Sequence, residues 1–348
     1  MKLYCIITLA LCMFGLYTVA QEVPLRYFDI QAPSHKKDLP AYSKISNCLY
    51  KKIDFLDCRD DTTYIGTVNT GLLRHEAKLK LRMPFQPQLQ ALVDSLTDSS
   101  ASNGELLFQL RDFHFVEEMA TRYCYLQVGL YAKMQDHYQR LAILDTVMVV
   151  PNNNVTGVVQ FLGSRILTDF LGNELWRKPV DSAAYQLQEI LQYDSIEKSR
   201  IPLFTTTQYV DGIYNSYYSF SRQQPDRQGQ IKADKKGEIT RVAAQDSAGK
   251  LTKLKSKNQY ALVYGGKPYV ATEYGYYPLE KLHNSLIFIG NVRVAASQGD
   301  VNGAGLAFGL VGSLLATGGY EARYEMAIDP VSGRFVHMHK FEMPEQRL

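Results

Sequence analysis

Residues 105–150 read ELLFQLRDFHFVEEMATRYCYLQVGLYAKMQDHYQRLAILDTVMVV, and the pattern of this stretch decides the fold. In its middle part, apolar side chains alternate between two sides, which is the period of a β-strand. One side carries Cys124, Leu126, Val128, Leu130 and Ala132, and the other carries Tyr123, Tyr125, Gln127 and Tyr131. We therefore predict three successive strands, at residues 106–116, 122–134 and 138–149, with the middle strand half-buried.

The first of these strands changes sides partway along its length. Leu110 ends one apolar series, and Phe113 begins a second series of the opposite parity. One extra residue would bring both series to the same face of the sheet, so we predict a β-bulge near Arg111 and Asp112.

Helical patterns surround these strands. An apolar residue recurs every four positions from Val158 to Phe170, which predicts a core-facing helix over residues 155–171. A short helix is predicted around residues 89–96, and another after Asp181, which can cap it.

Strands are also predicted at residues 62–68 and 77–83, where polar and apolar side chains alternate. Residues 48–198 are therefore expected to form an α+β domain, an antiparallel sheet with helices on one face. From residue 199 to residue 348, short strands separated by turn sequences predict a β-rich domain that contains a glycine-rich apolar segment.

That apolar segment runs from Val301 to Tyr320 and carries no charged residue. Its length suits a membrane-spanning helix, and Gly305, Gly309 and Ser313 have the spacing that lets two helices approach closely. Its many glycines, however, make it a poor isolated helix in water. Three interpretations stay open: a buried or irregular connection between strands, a helix that enters or lies on a membrane, and a self-association helix.

The N-terminus has the pattern of a secretory signal peptide at residues 1–20, with cleavage after Ala20. An uncleaved membrane anchor is the alternative. Residues 21–47 show no periodicity and are predicted to form an extended arm. Export would allow a disulfide, for which Cys48 and Cys58 are the candidate pair, whereas Cys124 is expected to be a small buried hydrophobe.

Charge and motifs exclude several classes of function. A formal net charge of +3 argues against a dedicated nucleic-acid binder. No nucleophile elbow, zinc-protease motif or phosphate loop is present, and no cofactor is predicted. The sequence therefore favours a non-catalytic binding or structural module. The alternatives are a membrane-inserted or self-assembling component acting through the apolar segment and, third, a glycan-active enzyme with paired carboxylates.

Two further patterns are candidate contact sites. His337 and His339 fall on one side of a predicted strand, a spacing that a metal ion could use, although no third ligand is evident nearby. Residues 232–257 carry eight basic and three acidic residues, an excess of five positive charges. This region could contact anionic glycans or lipid head groups, or it could be the solvated face of an edge hairpin, where lysines prevent sheet-to-sheet pairing.

Two resemblances concern different parts of the chain. Residues 212–220 with Pro225, then Ala261–Tyr264, and residues 274–277 resemble a family of secreted Bacteroidetes proteins grouped as a domain of unknown function, over about residues 207–338. Here residues 269–271 read Tyr-Val-Ala where that family has Tyr-Ile-Asn. The resemblance implies an exported protein, in the periplasm or associated with the outer membrane of a Gram-negative bacterium. Its partner would be an unknown envelope protein or a glycan, and no activity is implied.

The second resemblance is to the envelope domains of transporter-auxiliary lipoproteins. Residues 109–113, which read QLRDF, and residues 126–131 resemble a strand with an acidic-aromatic pair and its antiparallel partner, within about residues 65–175. This chain lacks the lipid-attachment cysteine of those proteins, because Leu11 stands before Cys12 where a small residue is needed.

Overall fold

The computed structural model describes residues 23–31, 44–71, 75–118, 121–151, 157–179, 183–245, 249–282, 285–292 and 323–340. Strands make up 47% and helices 20%, so the protein is mixed α+β and is built from several sheets. The predicted signal peptide lies outside the described residues, as does the apolar segment with Gly305, Gly309 and Ser313. Among the residues that are described, no helix is both long and apolar enough to cross a membrane.

The first half contains a five-stranded sheet in the order β2-β5-β6-β7-β8 and a three-stranded sheet in the order β1-β4-β3. Its elements are β1 (Leu25–Phe28), β2 (Tyr50–Asp57), β3 (Thr67–Thr70), β4 (His75–Leu81), α1 (Phe85–Leu96), β5 (Gly104–Glu117), β6 (Thr121–Lys133), β7 (Tyr138–Pro151), α2 (Val158–Glu174) and β8 (Ala184–Tyr185). The three long strands and the two helices expected around them are confirmed. The strand β1 lies within the predicted extended arm and pairs in parallel with β4.

The five-stranded sheet is mixed and not antiparallel as predicted, because its edge strand β2 runs parallel to β5. The sequence of β2, YKKIDFLD, gives no clear alternation. Only Tyr50 and Ile53 are buried in it, and charged side chains occupy half of its positions. An edge strand can keep such side chains in solvent, so its pattern resembles that of a loop.

The helix predicted after Asp181 is confirmed only in its second part. Leu187, Ile190 and Leu191 form a short helix, α3 (Leu187–Leu191), whereas Ala184 belongs to β8 and pairs with Gln139 of β7. Tertiary pairing with the end of the sheet therefore overrides the helical spacing at Ala184.

The predicted bulge is confirmed, because the register of β5 against β6 shifts between Leu110 and Asp112. After the shift, Phe113 and Phe115 join the same buried core as Leu110. The ring of Phe113 lies 5.4 Å from that of Phe28 and 5.1 Å from that of Phe115, both at edge-to-face angles. The inner face of the sheet is covered by α1 and α2, whose buried apolar side chains include Phe85, Leu89, Leu92, Val93, Leu96, Ile166, Leu167, Phe170 and Leu171.

The second half consists of short helices and three small sheets, in the orders β15-β14-β13-β9, β10-β11-β12 and β16-β17-β18-β19. Its elements are α4 (Tyr193–Ser199), α5 (Pro202–Thr205), β9 (Gly212–Tyr214), α6 (Tyr217–Ser221), β10 (Gln230–Ala233), β11 (Ile239–Gln245), β12 (Leu251–Lys253), a 3₁₀ turn (Ser256–Asn258), β13 (Ala261–Tyr264), β14 (Lys267–Thr272), β15 (Gly275–Pro278), β16 (Glu280–Leu282), β17 (Ser285–Gly290), β18 (Tyr324–Ile328) and β19 (Phe335–Lys340).

The second half covers the outer face of the five-stranded sheet. Tyr123 and Tyr125, which the sequence places on the exposed side of a half-buried strand, are only 3% and 2% exposed. They share one hydrophobic cluster with residues of the second half, namely Leu203, Phe204, Phe220, Leu286, Phe288, Met326 and Ile328. Both faces of β6 are therefore buried, and the core crosses the predicted domain boundary at residue 198.

Gly66 sits where the three-stranded sheet meets β5. Its backbone has a φ of +99°, and a Cβ atom built there would lie 1.9 Å from the carbonyl oxygen of Phe115. Gly71 provides a matched control, because its φ of +72° is also positive but no atom of the described residues, apart from its chain neighbours, lies within 4 Å of such a Cβ.

We predict that Gly66→Ala lowers the free energy of unfolding by about 3 kcal/mol or more, since the strands must separate as well as tolerate backbone strain. Gly71→Ala carries only the backbone strain and is expected to cost about 1 kcal/mol. Urea unfolding followed by circular dichroism measures both values. Equal losses in the two variants would mean that the close approach to Phe115 does not constrain the fold.

Candidate functional site

Several titratable side chains converge on one buried histidine where β19 meets the central sheet. His337, on β19, is 1% exposed. Its Nδ1 lies 2.6 Å from the hydroxyl of Tyr125, and its Nε2 lies 3.1 Å from Oε1 of Glu118. We call Glu118, Tyr123, Tyr125, Tyr324 and His337 the seam cluster. Both ring nitrogens of the histidine are therefore occupied by contacts to the first half of the chain.

Aromatic rings enclose the histidine. The ring centroids of Tyr123 and Tyr324 both lie 4.8 Å from that of His337. Burial, assisted by the nearby phenol of Tyr123, raises the pKa of Tyr125 well above its ordinary value. Burial and the charge of Glu118 likewise raise the pKa of Tyr324. These hydroxyls stay neutral at neutral pH, so the cluster supplies hydrogen bonds and packing but no phenolate nucleophile.

A second polar cluster ties the last hairpin to the same sheet. The side-chain amide of Gln127 donates to Oδ2 of Asp329 at 2.5 Å and to Oδ1 of Asp145 at 3.4 Å. Nη1 of Arg334 donates to the same Asp145 oxygen at 3.1 Å. We call these four residues the turn cluster.

The turn cluster brings two carboxylates together, as a glycan-active enzyme would require. Oδ1 of Asp329, however, accepts hydrogen bonds from the backbone N–H and the hydroxyl of Ser332, both at 2.6 Å. It also accepts from the N–H of Val331 at 3.1 Å. Asp329 is thus the residue that closes the β18–β19 turn, and its second oxygen is held by Gln127. Such an arrangement positions the hairpin and leaves little of the carboxylate for a substrate.

The structure does not support His337 as a metal ligand, because both of its ring nitrogens are in contact with other side chains. The side chain of His339 lies outside what the structure describes. Within the described ranges, no group of three histidine, cysteine or acidic side chains could hold a metal ion.

The predicted disulfide between Cys48 and Cys58 is wrong. Both thiols are free and lie at opposite ends of β2, which separates them by about 26 Å at the rise of a strand, whereas a disulfide needs Cα atoms within about 7 Å. Cys124 is 1% exposed, and burial raises the pKa of its thiol, so its predicted role as a buried hydrophobe is confirmed.

Sequence reasoning did not identify four residues as members of a polar cluster. Tyr125 belongs to the seam cluster, and Asp145, Asp329 and Arg334 belong to the turn cluster. The available signal was the run of tyrosines on the outer side of β6, since three large aromatic rings on one face indicate a second buried surface. The partners of those rings lie about two hundred positions away, as the separation of 212 residues between Tyr125 and His337 illustrates. No local pattern connects them.

No known family model matches the chain, and no curated protein matches it. Among solved structures, the chain is similar to the crystal structure of a Xanthomonas campestris protein of the family DUF330. The TM-score is 0.28 and the identity 12%, and the match covers 44% of this chain and 92% of that one. A similarity at this level supports no statement about fold or function.

We predict that Tyr125→Phe lowers the free energy of unfolding by about 1–3 kcal/mol, because Nδ1 of the buried His337 loses its partner. Tyr274→Phe is the control, since Tyr274 is 46% exposed and its change should stay within about 0.5 kcal/mol. Urea unfolding compares the two. If the variants are equally stable, the hydrogen bond between Tyr125 and His337 does not contribute to holding the halves together.

The turn cluster predicts a pH dependence of stability. Burial raises the pKa of Asp145, the charge of Asp329 raises it further, and Arg334 opposes the shift. The folded protein therefore holds this proton more tightly than the unfolded chain, in which an aspartic acid titrates near about pH 3.9. The resulting stabilisation is complete below about pH 4 and is lost as the pH rises through the raised pKa.

We expect Asp145→Asn to lose less stability than the wild type between about pH 4 and pH 7, because the amide does not titrate. Urea unfolding across this range gives the difference between the two curves, and Asp60→Asn, at an exposed position, serves as control. Parallel curves for Asp145→Asn and the wild type would contradict the raised pKa.

Proposed function

We propose that the protein is an exported envelope protein with a binding or structural role and no catalysis of its own. The N-terminal pattern of residues 1–20 supports export. The C-terminal resemblance supports the periplasm or the outer membrane of a Gram-negative bacterium as the location. We also propose kinship with the secreted Bacteroidetes family over residues 207–338.

The observation that carries the non-catalytic role is the use of the buried polar groups. In the seam cluster, His337 is bound on both nitrogens and covered by tyrosine rings. In the turn cluster, Asp329 closes a turn and Asp145 pairs with Arg334. An active site needs polar groups directed at a space that a substrate can enter. These groups are instead directed at one another, across the contact between the two halves.

A rigid contact of this kind suits a protein that acts by binding a partner through its surface. The second half is held in place by hydrophobic packing and by two polar clusters, so its small sheets have a fixed orientation. Binding by a preformed surface loses less conformational entropy than binding by a mobile one. We therefore expect an envelope partner, a protein or a glycan, to contact the second half.

A second candidate function rests on the uncharged segment from Val301 to Tyr320, through which the protein would insert into a membrane or self-associate. Gly305, Gly309 and Ser313 would form the close helix contact. The two candidates differ in what releases the protein from a membrane fraction, because charge contacts are screened by salt and apolar insertion is not.

We predict that the native protein begins after Ala20 and fractionates with the periplasm or the outer membrane. High-salt washing should release it, because a protein that binds through its surface is held by charge contacts, which salt screens. Mass spectrometry of the N-terminus and immunoblotting of washed fractions measure both points. A variant lacking residues 303–318 should partition as the wild type does.

Two outcomes would count against the proposal. An intact leader on a cytosolic product would remove export. The second outcome is that detergent releases the protein and high salt does not, and that the variant lacking residues 303–318 no longer needs detergent. This outcome would favour the membrane-inserted component.

A further inference from the structure

The sheet β10-β11-β12 has one buried face and one mostly exposed face, on which the small side chain of Ala243 is buried. Ile231, Val242 and Ala244 pack inward against β9, β13 and β14, in a cluster that includes Ile213 and Leu262. Because successive side chains alternate, Lys232, Arg241 and Lys253 lie on the opposite face, and all three are exposed.

The register sets these cations side by side. Lys232 of β10 pairs directly with Arg241 of β11, and Lys253 of β12 pairs with Ala243, one step along the same face. The pairing extends past β12, since the N–H of Leu254 donates to the carbonyl oxygen of Val242 at 2.9 Å. The extended backbone at Lys255 therefore continues the alternation, which places Lys255 beside Arg241. We call Lys232, Arg241, Lys253 and Lys255 the basic face.

Like charges directly opposite each other on neighbouring strands are destabilising. Among the residues that the structure describes, no carboxylate forms an ion pair with any member of the basic face. The nearest acidic residue along β10, Asp234, is engaged in the β10–β11 turn, where its Oδ1 accepts from the N–H groups of Lys236 and Glu238. Within the described part of the chain, this repulsion is therefore not offset by an ion pair.

Protection of sheet edges explains only part of this arrangement. Lysine on an edge strand discourages pairing with another sheet, and β10 and β12 are the edges here. Arg241, however, is on the central strand β11, which has hydrogen-bonded neighbours on both sides. A cation there protects no edge, so edge protection does not account for Arg241 between Lys232 and Lys255.

We propose that the basic face binds an acidic polysaccharide. The inference rests on the proposed binding role and names the class of partner. The strands hold the cations about 4.8 Å apart across the sheet, a fixed spacing that suits acid groups repeated along a linear polymer. Gln230 and Gln245 share the face and can exchange hydrogen bonds with sugar hydroxyls.

A membrane surface fits the basic face less well. Proteins that bind at the membrane interface combine cations with several large apolar side chains that enter the head-group region. The only large apolar side chain described on this face is Leu251, at the far end of β12. An anionic lipid surface is therefore an outcome of the experiment that would overturn the proposal.

The test measures binding of the purified, leaderless protein to polygalacturonate by calorimetry, with neutral dextran as the uncharged polymer. We expect binding to polygalacturonate only, weakening as salt increases. Lys232→Gln combined with Arg241→Gln should reduce the affinity by about tenfold or more, because two adjacent charge contacts are lost. Lys51→Gln combined with Lys267→Gln removes the same net charge from exposed positions elsewhere and should bind as the wild type does.

Several results would overturn the proposal. These are equal binding of dextran, equal loss in the two double variants, no loss in the first, or no binding of polygalacturonate. Stronger binding to phosphatidylglycerol vesicles, abolished by the first double variant, would assign the face to lipid. Circular dichroism confirms that the variants fold. The assay uses purified protein, so a failure of the proposed export would leave its result unchanged.

Discussion

Burial of the outer face of β6 is the constraint on which the rest of the structure depends. The inner face packs against two helices, as an α+β sheet usually does. The outer face carries Tyr123 and Tyr125, whose rings need an apolar cover and whose hydroxyls need partners. The second half supplies the apolar cover with a hydrophobic cluster, and the imidazole of His337 is the partner of the Tyr125 hydroxyl. The hydroxyl of Tyr123 donates to Oε2 of Glu118 at 3.4 Å, within the first half. The three-layer arrangement of helix, sheet and small sheets follows from this requirement.

The two polar clusters determine how that cover is oriented. Hydrophobic packing alone is not directional, so the last hairpin could slide over the tyrosine face. His337 and Arg334 each have a specific partner on the central sheet, at Tyr125 and Asp145. A displaced hairpin would leave these buried groups unpaired, at a cost in free energy for each one. The clusters thus convert an apolar contact into one with a single register, which accounts for the titratable groups that are buried between the two halves.

Local pattern predicts the parts of this fold whose causes are local. The long strands, the bulge after Leu110 and the helix α2 follow from periodicity, because each buries a continuous face. The parallel strand β2 could not be predicted, since an edge strand with one buried side carries loop-like residues. The double burial of β6 and the pairing of His337 depend on residues two hundred positions apart. The pair Cys48 and Cys58 is close in sequence, but the extended strand β2, which was not predicted, lies between the two cysteines and separates them.

The distance along the chain between the tyrosine face and its cover affects how the molecule can be made. Contacts between remote positions form late, because the chain must lose the entropy of closing a long loop before these contacts can stabilise it. The residue that completes the seam, His337, lies near the end of the described chain. A polypeptide that emerges from its N-terminus onward therefore carries an incompletely covered aromatic surface until the β18–β19 hairpin arrives. Truncated or stalled chains would display part of that surface to other molecules and would be prone to aggregate through it.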